Sequence, residues 1–201
     1  MEFAELFSAT ILLLLVVDPF GNVPLVIPAL AAVRPGRRKL VIVRECVFAY
    51  LILLGFMLGG RKFLAWLHLS DESLSIAGGI ILFLIALRMV FPSKEGVFGD
   101  QATGEPLLVP LAVPMIAGPS ALATVMLLAS REPAKLAVWM LALTIAMAAT
   151  TVVLMGAHRI QRIVGERGVI AMERLMGLVL TALAVEMLLG GVRTFVTQLA
   201  R

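Results

Sequence analysis

The stretch "VVDPFGNVPLVIP", residues 16–28, decides how the rest of the chain is read. It lies in an apolar run, yet it holds Asp18, Gly21, Asn22 and the prolines Pro19, Pro24 and Pro28. A proline inside a helix removes a backbone hydrogen bond and clashes with the preceding turn, so one continuous helix is not expected here. Asp followed by Pro reads instead as a helix start. The Asp side chain accepts from free backbone N–H groups, and Pro at the first helical position loses no bond. A new half-helix is therefore predicted to begin at Asp18-Pro19 and run to about Val33.

Composition says what surrounds that break. Of 201 residues, 61% are hydrophobic and 15% charged, with mean hydropathy +1.04. Soluble domains average about 45–50% apolar and about 25% charged residues. The chain is therefore expected to be an all-α integral membrane protein. Apolar segments fall at about 5–33, 40–59, 74–91, 107–130, 135–156 and 172–191. A spanning helix needs about 20 residues. The first segment is too long for one straight helix, and its excess is what a span with an unwound middle needs.

The net charge of +4 does not point to nucleic acid, because the basic residues sit mainly in short loops between apolar segments. The single cysteine, Cys46, allows no intrachain disulfide. The two histidines, His68 and His158, lie far apart in loops, so no metal site is expected. No P-loop motif is present and no cofactor is expected. The beginning of the chain carries Glu2 and Glu5 where a signal peptide would be basic.

Loop charge sets an expected orientation. One side holds Arg34, Arg37, Arg38, Lys39, Lys94, Arg159, Arg162, Arg167 and Arg174; the other holds Arg61, Lys62, Arg131, Lys135, Arg193 and Arg201. The side with nine is expected in the cytoplasm by the positive-inside rule, with both termini outside.

The two halves look alike. Pro19 and Pro119 each sit at the centre of the first span of a triplet. "GGIILFLIALRMV" (78–90) aligns with "MGLVLTALAVEML" (176–188), matching Gly79 with Gly177, Leu82 with Leu180, Ala86 with Ala184 and Met89 with Met187. Each triplet has an odd number of spans, so the second is expected upside down, an inverted repeat of the kind built into many secondary transporters. The expected organisation is a first three-span repeat over 1–91, a polar, Gly-rich connecting loop over 92–106, and a second, inverted repeat over 107–201.

In the second half "AGPSA" (117–121) occupies the place of the first break: Gly118 can cap, Pro119 starts a helix, and Ser120 adds a hydroxyl. Each half-helix is expected to turn its positive N-terminal end toward the bilayer centre. Irregular backbone at that depth survives only where protein or a cavity surrounds it. Two such ends make an anion site, and a carboxylate inside a membrane is a functional candidate. The plainer alternative is that the prolines only kink their spans and that Asp18 only caps.

These motifs in combination, "DPFGNVP", "AGGIILFLIALRM" and "PLAVPMIAGPSAL", resemble the MarC family of bacterial and archaeal inner-membrane proteins over essentially the whole chain. That family is related to the LysE-type exporters and includes SnatA-like members that act on small neutral amino acids. The resemblance implies a six-span secondary transporter with its site at the two broken spans. This chain has "GPSA" where many family members have "GPGA", so Ser120 adds a hydroxyl and removes some backbone freedom.

A zwitterionic amino acid needs donors for its carboxylate, which half-helix ends supply, and acceptors for its ammonium, which Asp18, Asn22 and unwound carbonyls supply. Small residues at the breaks (Gly21, Gly118, Ala121) leave little room for a large side chain. The expected binding residues are Asp18, Pro19, Gly21, Asn22, Pro24, Gly118, Pro119, Ser120 and Ala121, with no catalytic residue. Asp18 is the candidate for coupling transport to a proton, with sodium as the other ion to consider. An exporter of drugs or other metabolites is the alternative, although a broad drug pocket would be richer in aromatics than the 6% here. An intramembrane protease using Ser120 lacks a histidine within a span. Arg44, Glu45 and Arg88 read as interfacial, and Glu186 as facing a vestibule or the headgroups.

Overall fold

The computed structural model describes residues 2–30, 33–68, 70–91, 107–108 and 111–199. The predicted connector 92–106 lies outside the described residues. The described chain is helical: α1 (Glu2–Val17), α2 (Pro19–Ala29), α3 (Arg38–Trp66), α4 (Asp71–Val90), α5 (Pro119–Arg131), α6 (Leu136–Met155) and α7 (Ala157–Leu199). A π-helical turn over Leu111–Ile116 precedes α5, and short 3-10 turns at Pro35–Arg37 and Pro133–Lys135 lead into α3 and α6.

Four described stretches are long and apolar enough to cross a membrane: Phe3–Ala29, Pro35–Trp66, Pro133–Met155 and Ile170–Thr197. Ser75–Val90 and Pro119–Ser130 are shorter apolar helices. Each of the six apolar segments read from the sequence thus contains apolar helix.

Some boundaries differ from those expected from the sequence, because charge alone does not end a helix. α3 continues through Arg61 and Lys62 to Trp66, because those residues leave the apolar span without breaking the helix. α2 stops at Ala29, short of Val33, with Pro24 and Pro28 both inside it. Within α7 two helical stretches meet at a kink at Gly165, whose φ of 75° is one that favours glycine.

The packing crosses between the two halves of the chain. α6 packs on α1 and α2, whereas α3 packs on the π-helical turn and α5. The most extensive pairing is α4 against α7. It is built on two glycines. A Cβ added to Gly79 would lie 3.1 Å from the Ala184 carbonyl oxygen and 3.3 Å from Met187 Cβ; one added to Gly177 would lie 3.1 Å from the Ala86 carbonyl oxygen and 2.9 Å from Met89 Cβ. Small residues allow this backbone approach between helices in a bilayer, where dispersion contacts drive association. Buried Leu13, Leu53, Leu111 and Leu143 belong to one apolar core shared by both halves. Lys135 Nζ, bonded to Glu5 at 2.9 Å and to Glu132 at 2.5 Å, ties α1 to the start of α6.

Candidate functional site

The first break is one residue wide. Asp18 takes a left-handed conformation (φ 45°, ψ 68°), which ends α1 and starts α2 at Pro19. Its carboxylate Oδ1 accepts from the Gly21 N–H at 2.9 Å, so the side chain caps the half-helix that it begins. Its own N–H donates to the Leu14 carbonyl at 2.9 Å, and its carbonyl accepts from Asn22 N–H at 3.1 Å. The kink therefore keeps its backbone largely satisfied. Gly21 is required by this geometry: an added Cβ would meet Asp18 Oδ2 at 1.9 Å and Met176 Cε at 2.7 Å.

The second break is wider and built differently. Val113 is extended (φ −130°, ψ 131°) inside the π-helical turn, and the Val113–Pro114 peptide is cis. α5 then begins at Pro119 behind Gly118, which is extended and provides no side-chain cap. The two half-helices thus begin in different electrostatic states. The positive end of α2 already faces a carboxylate, and that of α5 faces no capping side chain.

Asn22 joins the two breaks. It is 6% exposed. Its Nδ2 donates to the Val17 carbonyl at 2.8 Å and, across the chain, to the Met115 carbonyl at 3.4 Å. These are carbonyls that the interrupted helices release, and an unpaired one is costly at membrane depth.

Between the breaks lies a cavity of about 80 Å³. Asp18, Gly21, Asn22, Gly118, Pro119 and Ser120 form its polar side. Asp18 and Ser120 are exposed and line it. Leu82 and Ile85 of α4 face Met176, Leu180, Leu183 and Met187 of α7 across the apolar side. Among the sequence-read residues, Pro19, Pro24 and Ala121 are buried, and none of the three lines the cavity. The α4 and α7 lining residues escaped the sequence reading as site residues. The aligned pairs Leu82/Leu180 and Ile85/Leu183 were the available signal, since equivalent positions in two halves can face one shared centre.

The other charged residues sit elsewhere. Glu45 is 1% exposed, and its Oε1 accepts from Arg44 Nε at 3.1 Å and Nη2 at 2.9 Å. An interfacial position fits Arg44 and not Glu45, whose carboxylate is within the protein. Arg88 and Glu186 are exposed. No group of His, Cys, Asp and Glu among the described residues is arranged to hold a metal.

A helical chain with several stretches long and apolar enough to cross a membrane, and a cavity between two helix breaks, has the make-up of an integral membrane protein. A family model described as MarC family integral membrane protein matches residues 3–196, and the chain belongs to that family. It is 46% identical over 190 residues to the UPF0056 inner membrane protein YhgN of Escherichia coli K12, covering 94% of this chain and 96% of that protein. It is 32% identical over 202 residues to the UPF0056 membrane protein MJ1677 of Methanocaldococcus jannaschii, covering 96% of this chain and 95% of that one. No solved structure matches the chain.

Proposed function

We propose that this protein is a secondary transporter, in the exporting direction, of small neutral amino acids such as glycine and alanine. It is not an enzyme in this reading. Its six apolar segments are membrane spans arranged as two inverted three-span halves, over 1–91 and 107–201, with both termini outside the cytoplasm of an inner membrane.

The observation that carries the reading is the unequal pair of helix starts at one cavity. A zwitterion presents an anion and a cation on neighbouring atoms. The uncapped start of α5, with its free N–H groups and dipole, suits the carboxylate. Asp18 suits the ammonium with its second oxygen, while the first keeps α2 capped. This refines the simpler expectation that both half-helix ends bind the carboxylate, because Asp18 already compensates one of them. Size agrees. The cavity is small, about 80 Å³. Drug-sized ligands occupy pockets of about 300–1,000 Å³, which disfavours a broad drug exporter.

The crossed packing supports the inverted repeat. Gly79 approaches Ala184 and Met187, and Gly177 approaches their aligned partners Ala86 and Met89. Exchange of this kind is what a two-fold axis between halves produces. Such an axis lets one half rock against the other around a fixed site.

The test is uptake into proteoliposomes of purified protein, with and without a proton gradient, of glycine, alanine, serine, leucine and a cationic drug. Saturable movement of the small amino acids is expected. Movement of the drug with none of the amino acids would replace this reading with the exporter alternative.

A further inference from the structure

The geometry points to Met176 as the residue that limits how long a substrate side chain the cavity accepts. This rests on the amino acid transport reading and adds the substrate's size limit to it. With the ammonium at Asp18 and the carboxylate at the start of α5, the Cα of an amino acid lies between the two breaks. Its side chain must then project toward the apolar wall of α4 and α7. On that wall Met176 comes nearest to the Asp18–Gly21 turn, its Cε lying 2.7 Å from where a Gly21 Cβ would be. Leu180 and Leu183 continue the wall beyond it.

The equivalent position in the other half shows why this wall alone has slack. Met176 aligns with Gly78. A Cβ on Gly78 would strike Pro119 Cγ at 1.9 Å, so there α4 closes on the break with no side chain between. At Met176 the same space is filled by a flexible thioether, whose rotatable bonds let it move aside for a methyl group. A longer aliphatic chain would need the volume that the thioether itself occupies. The site therefore takes glycine, alanine and their close homologues, and excludes branched and long aliphatic amino acids.

The experiment measures inhibition of radiolabelled alanine uptake in proteoliposomes by glycine, 2-aminobutyrate, valine and leucine, for wild type, Met176→Ala and Met176→Phe. Met176→Ala is expected to strengthen inhibition by valine and leucine by about tenfold or more, the usual scale for a methylene in an apolar pocket. Met176→Phe is expected to shift preference toward glycine, and it decides the matter alone if the alanine variant does not fold. An unchanged size series in the variants, with wild-type alanine transport intact, overturns this inference and leaves the transport reading standing. A wild type that carries no amino acid overturns both.

Discussion

Asp18 holds two roles in one side chain. One oxygen caps α2 through Gly21, and the carboxylate faces the cavity. Asp18→Asn keeps a capping oxygen but loses the charge that would meet an ammonium group. It should insert and elute as the wild type does, while substrate affinity falls. Unchanged transport would reduce Asp18 to a cap. Gly21→Ala tests the same turn from the other side. Its methyl group would overlap Asp18 Oδ2, so the carboxylate must swing out and the cap, worth about 1 kcal/mol, is lost together with uptake. Asn22→Ala leaves the Val17 and Met115 carbonyls without their donor and should cost about 1–3 kcal/mol, read as a lower melting temperature in detergent. Asp18 and Pro19 were legible in the sequence because capping is local chemistry. The bridging role of Asn22 was not, because Met115 lies 93 residues further along the chain.

At the scale of elements, the two breaks solve one problem differently. α1 and α2 are separated by a single left-handed residue with a side-chain cap, whereas α5 follows a π-helical turn and an extended Val113. Pro119 announced the start of α5 in the sequence. The turn before it did not announce itself, since π-helical geometry is set by the tertiary fit of Leu111, Ala112, Met115 and Ile116, all buried. The α4–α7 pairing was visible only as an alignment of glycines, and the sequence held no sign that each glycine meets the aligned residues of the other half. Gly177→Ala should force these helices apart, because a Cβ there lies 2.9 Å from Met89 Cβ. Overpacking of this kind costs about 1–3 kcal/mol. A melting curve in detergent checks it, and wild-type stability would show that the close approach is dispensable. Gly78→Ala is expected to lower both stability in detergent and uptake, because its methyl group would overlap Pro119, in the cavity wall.

At the scale of the whole molecule, crossed packing makes each half incomplete alone: α6 closes on α1 and α2, and α3 closes on the π-helical turn and α5. The loop charges that suggested orientation are sequence features, and labelling tests them. Glu2→Cys and Ala200→Cys, each with buried Cys46 replaced by Ala, should react from outside with an impermeant thiol reagent in intact cells. Labelling only after lysis would invert the topology. The membrane class and the position of both breaks were legible in the chain, because apolar length and Pro-initiated caps are local signals. The apolar cavity wall was not, because it depends on which faces of α4 and α7 meet. The central claim is that the uncapped start of α5 holds a carboxylate while Asp18 holds an ammonium. The most direct measurement compares binding of alanine and alaninamide to the purified protein by calorimetry. The two ligands share the ammonium group and side chain and differ in the carboxylate. Alanine is expected to bind and alaninamide to bind at least about tenfold more weakly, the loss of a charge-assisted hydrogen bond of roughly 1.5–3 kcal/mol. Equal binding of the two would contradict the account.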